Sequence, residues 1–89
     1  MSYDYQTEKV NLFTDEGQRM FLKVRDNAHR LLKEAGAFRQ MEVTRGVTGS
    51  GWTMIACVDR LVELGEIVEL KRECWTQLKV YTEPRIHNA

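Results

Sequence analysis

Between Ser50 and Leu70 the apolar pattern changes period, and few small folds accommodate that change. Met54, Cys57, Val58, Leu61 and Leu64 recur at intervals of three and four, the spacing of one helix face. Ser50 stands where a hydroxyl can cap the helix. Gly65 stands where a left-handed residue ends one. Glu66 to Arg72 then reads as a strand, with Ile67, Val68 and Leu70 apolar. The segment predicts a helix, a tight turn and a strand entering a hairpin.

A longer helix precedes it. Phe21, Val24, Ala28, Leu31, Leu32 and Ala35 form one apolar stripe at helical period. Thr14, followed by Asp15 and Glu16, marks the start, because a hydroxyl caps free N–H groups and acids suit the positive end of the helix dipole. Gly36 marks the end, so the pattern predicts a helix from about 15 to 35. Ala37-Phe38 is at most a strand stub. Arg39 to Arg45 reads as a short helix with Met41 and Thr44 inward, and Gly46-Val47-Thr48-Gly49 as a turn. Trp75 to Thr82 reads as a second strand, with Lys71, Arg72 and Glu73 at the exposed hairpin tip and Pro84 ending the strand. The expected organisation is an N-terminal arm at 1–13, one domain at 14–82 and a tail at 83–89.

An 89-residue chain supports one domain with an economical core, burying roughly 60–65% of its unfolded surface. Its 43% hydrophobic and 29% charged residues fit a globular protein. No secretory signal and no stretch of membrane-spanning length is apparent, so no membrane association and a cytoplasmic location are expected. Cys57 and Cys74 form no CxxC pair, and His29 and His87 stand alone, so no metal or cofactor is expected. One cysteine is expected in the core and the other at the surface or in the hairpin. No nucleophile–base constellation or phosphate-binding glycine loop occurs, and no feature marks a small-molecule pocket. The chain is not expected to be an enzyme.

The order long helix, short helix, turn, helix, hairpin, with Ser50, Thr53, Met54, Leu61, Gly65 and Ile67 in register, resembles bacterial and phage winged helix-turn-helix transcriptional regulators. The resemblance spans residues 14–82. It implies an α+β, mainly helical fold: three helices and a C-terminal β-hairpin wing. It also implies double-stranded DNA as partner, with the helix from Ser50 in the major groove and the wing on the adjacent backbone or minor groove. Carried onto this chain, the contacting residues are Arg39, Arg45, Thr48, Ser50, Gly51, Trp52, Thr53, Ala56, Arg60, Lys71 and Arg72.

Charge qualifies that expectation. The net charge is zero, although residues 17–45 carry four positive charges in excess and residues 46–70 three negative. The helix from Ser50 presents Gly51, Trp52, Ile55, Ala56, Asp59 and Arg60 outward, an apolar face for a base reader. Affinity must then come from a phosphate-facing cluster of Arg39, Arg45, Lys71 and Arg72, extended by Lys23 and Arg25. The charges from Arg19 to Lys33 read equally as the solvated face of a helix. Trp52 either packs beneath the hairpin against Trp75 or Tyr81, or stands exposed as an anchor. In the second case Trp52 and Ile55 suit a protein partner, or a second copy in a homodimer.

Overall fold

The computed structural model describes residues 2–70 and 79–84. In chain order these form α1 (Tyr5–Glu8), a 3-10 helix (Lys9–Phe13), α2 (Asp15–Ala35), β1 (Ala37–Arg39), α3 (Gln40–Val43), α4 (Gly51–Glu63), β2 (Val68–Leu70) and β3 (Val80–Thr82). The architecture is α+β and mainly helical, with one three-stranded antiparallel sheet.

Both ends of α2 are set locally. The Thr14 hydroxyl accepts from the Gly17 N–H at 3.0 Å, and Gly36 takes a left-handed φ of 79°. The buried face is rotated from the expected stripe. Met20, Val24 and Ala28 are fully buried with Asn27 beside them, whereas Phe21, Leu31 and Leu32 are half-buried and Ala35 is exposed.

α4 closes with paired bonds characteristic of a glycine stop. The Gly65 N–H donates to the Val62 carbonyl at 3.0 Å and the Glu66 N–H to the Leu61 carbonyl at 2.9 Å. Gly65 has a φ of 76°, which permits the reversal. Leu64, expected inward, is exposed, because this turn carries the chain off the core before its side chain can reach it. Beyond the glycine, Ile67 enters the core.

β3 is the central strand. It pairs with β1 through Ala37–Thr82, Phe38–Tyr81 and Arg39–Val80, and with β2 through Val68–Thr82, Glu69–Tyr81 and Leu70–Val80. This register puts Phe38 and Tyr81 on the same inner face, their rings stacked at 5.6 Å. The stub at Ala37-Phe38 is thus a paired strand. The hairpin tip at Lys71, Arg72 and Glu73, the strand start at Trp75, and Cys74 lie outside the described residues.

A further expectation is corrected: Met41 in α3 is 76% exposed and Val43 is the buried residue, because the helix is a single turn and only one of its side chains reaches α2. The described part of the segment at 1–13 packs on the helices. Leu12 is 1% exposed and belongs to the core, and the residues before it lie along α4. The core joins Leu12, Met20, Val24, Ala28, Phe38, Val43, Val47, Ala56, Cys57, Val58, Leu61, Ile67 and Tyr81. Cys57 is a free, buried thiol whose pKa burial pushes up to about 11.

Candidate functional site

The turn between α3 and α4 is built from both sides. Gly46 and Gly49 take φ values of 80° and 137°, conformations that disfavour other residues. Val47 between them is buried and plugs the turn into the core. From α2, the Asn27 Nδ2 donates to the carbonyls of Val43 at 3.0 Å and Arg45 at 3.2 Å. Arg19 donates to the Thr48 carbonyl at 2.9 Å. These bonds fix the backbone and turn Arg45, Thr48 and Ser50 outward, where all three are exposed.

Of the expected contact residues, Arg45, Thr48, Ser50, Gly51 and Trp52 lie exposed on or beside this turn, and Arg39 is exposed at the end of β1. Arg39 ends β1 and leads into α3, where the Glu42 carboxylate accepts its backbone N–H at 2.8 Å. Among the described residues, Lys23, Arg39 and Arg45 make no ion pair. Trp52, at 36% exposure, stands at the surface on the first turn of α4. Ser50 occupies the cap position, but its side chain makes no capping bond.

Other expected contacts are not on this surface. Thr53 is 7% and Ala56 0% exposed, so neither reaches a ligand on the outer face. The cause is the wide buried arc of α4, which packs on α2 along one side and on the N-terminal segment along another. Arg60 faces that segment. Its Nη1 donates to Glu63 at 2.7 Å and its guanidinium lies 5.6 Å from the Phe13 ring centroid. Arg25 is also removed from the basic cluster, since its Nε pairs with Glu66 at 2.9 Å. Lys71 and Arg72 lie outside the described residues.

The N-terminal segment forms a second polar constellation on the C-terminal half of α4. Tyr3 donates to Asp59 at 2.6 Å, Tyr5 to Glu63 at 2.7 Å, and Lys9 to Glu63 at 2.8 Å. Hydrogen bonds from Lys9, Tyr5 and Arg60 hold the Glu63 carboxyl down at about 2. Burial and the bond to Glu63 push the Tyr5 hydroxyl up to about 12.

Asn27 was not singled out in the sequence. Its signal was available: a poor helix former seven positions after Met20 and three after Val24, on the buried face of a long helix. The clamp of Tyr3, Tyr5 and Lys9 had no local signal, because its partners lie more than 50 positions away.

Compared with known protein families, curated proteins and solved structures, the chain matches none of them. Among the described residues no helix is long and apolar enough to cross a membrane, and no group of side chains is arranged to hold a metal ion.

Proposed function

We propose that this chain is a winged helix protein that binds duplex DNA, as a small transcriptional regulator, through the turn before α4 and the first turn of α4. One observation carries the reading: Arg45, Thr48, Ser50, Gly51 and Trp52 converge, exposed, on a turn whose backbone α2 holds in place. The helix–strand–helix–helix–strand–strand order after residue 14, with the last strand central, supports a winged helix. Arg39 and Arg45 would neutralise phosphates, and Lys23 stands one helical turn from Arg19, which touches the same turn.

A second reading rests on the outer strip of α4. It offers exposed Trp52 and half-buried Ile55, and no lysine or arginine stands on α4 before Arg60. An apolar strip without a cation suits a protein partner or a second copy better than a phosphate backbone.

Titration of a random-sequence duplex at several salt concentrations separates the two. DNA binding predicts a negative slope of log K against log salt, about 0.9 per phosphate contact. Replacing Arg39 and Arg45 together with glutamine should weaken binding to all sequences alike and flatten the slope by about two contacts. No measurable binding at low salt would remove the DNA reading and leave the protein-partner one.

A further inference from the structure

The 3-10 helix, α2 and the end of α4 enclose an open cleft of about 420 Å³, lined by Leu12, Phe13, Gln18, Phe21, Arg60 and Leu64. That volume lies within the range of small-molecule sites, roughly 300–1,000 Å³. The lining is mostly apolar, and part of it is left in water. Phe13 is 61% exposed and Leu64 46%. Leu12 forms the floor, and its carbonyl accepts from the Gln18 side chain at 2.6 Å, which ties the wall to α2.

The polar group that matters is Arg60. Its guanidinium lies over the Phe13 ring, 5.6 Å from the centroid, at the cleft wall. Of the five N–H donors of a guanidinium, it directs one nitrogen, Nη1, to Glu63. The Glu63 carboxylate is itself shared, because Lys9 occupies its other oxygen at 2.8 Å. Arg60 therefore shares the Glu63 carboxylate with Lys9 and Tyr5, and it lines an apolar cleft with N–H donors besides those of Nη1. An anion with an apolar body matches both halves of that surface.

We infer that this cleft binds a small amphipathic carboxylate. Its aromatic or aliphatic body lies between Phe13, Phe21 and Leu64, and its carboxylate meets the free edge of Arg60. Charge-assisted bonds of this kind are about twice as strong as neutral ones, so the charge and not the body alone selects the ligand. The inference is independent of DNA binding, since the cleft shares no exposed residue with the turn before α4.

The test is a titration of the full chain with 4-phenylbutyrate and with its neutral amide, followed by backbone amide NMR. The carboxylate should give saturable shifts centred on Leu12, Phe13, Phe21, Arg60 and Leu64, and should bind about tenfold more tightly than the amide. Arg60→Gln should remove that preference while leaving amide binding unchanged. Arg60→Lys should retain most of it. Phe13→Ala alters an exposed ring, so the fold should persist, and it should weaken both probes by a similar factor. Equal binding of carboxylate and amide, shifts centred on another surface, or no saturable shift at millimolar probe would overturn the inference.

Discussion

At the scale of single residues, Asn27 does more than its place in a helix requires. Its Nδ2 serves two backbone carbonyls of the turn that presents Arg45. Its Oδ1 accepts from Arg30 at 3.3 Å. Asn27 is 5% exposed, so the carbonyls it serves have little access to water if the side chain is removed. Asn27→Ala should cost about 2 kcal/mol, the penalty for leaving buried acceptors without donors. The same substitution should loosen residues 43–48. Urea unfolding measures the first effect, and amide exchange through Arg45 to Thr48 the second. A stability within ~0.5 kcal/mol of the parent would mean that water replaces the amide without loss. The sequence carries its position on the Met20–Val24 face of α2 but not the carbonyls it serves, which lie 16 and 18 positions away.

At the scale of elements, the two helix starts that look alike in the sequence behave differently. Thr14 and Ser50 both precede helices as hydroxyl residues. Only Thr14 makes the capping bond, to the Gly17 N–H at 3.0 Å. Thr14→Ala should therefore cost about 1 kcal/mol, and Ser50→Ala no more than a few tenths. Equal losses, measured by chemical unfolding, would show that Ser50 caps α4 after all. The contrast explains what a reader of the sequence can and cannot recover. The bounds of α2, Asp15–Ala35, follow from a capping threonine and a left-handed glycine that act within four residues. The end of α4 follows from Gly65 in the same way. The inward faces of short elements do not follow. Met41 sits on a four-residue helix, too short for periodicity to define a face, and Leu64 sits in a turn that breaks it. Ala56 reads as outward, and Thr53 as within reach of DNA, because an isolated helix has one buried stripe, whereas α4 is covered on two sides. The exposed turn at Thr48–Gly51 was legible from its glycines. The bonds from α2 that hold it were not, since they join residues 16 to 29 positions apart.

At the scale of the whole molecule, the N-terminal segment closes onto α4 through charge as much as through packing. α1 has no buried residue, Leu12 is the fully buried apolar residue of the segment, and Tyr3 and Tyr5 pack partly buried against the core. The rest of the attachment passes through carboxylates, chiefly Glu63, so it depends on pH. The Glu63 carboxyl titrates at about 2 in the folded protein, against 4.5 ordinarily. Between those values the unfolded chain binds the proton and the folded one does not, so stability must fall as pH falls. The contribution is complete above about 4.5 and lost as pH drops through 2. Tyr5 acts with the opposite sign. Its hydroxyl is raised from 10 to about 12, so its contribution holds below 10 and is lost as pH rises through 12. Glu63→Gln isolates the acid limb. The urea midpoints of the parent and this variant should differ by a constant amount from pH 5 to 7 and converge as pH approaches 2. A difference that stays constant down to pH 2 would mean that the ion pairs with Lys9 and Arg60 are too well solvated to stabilise the fold. Convergence would show that the chain uses the acidic end of α4 as the seat of its own first residues, the end away from the exposed turn where DNA is proposed to bind.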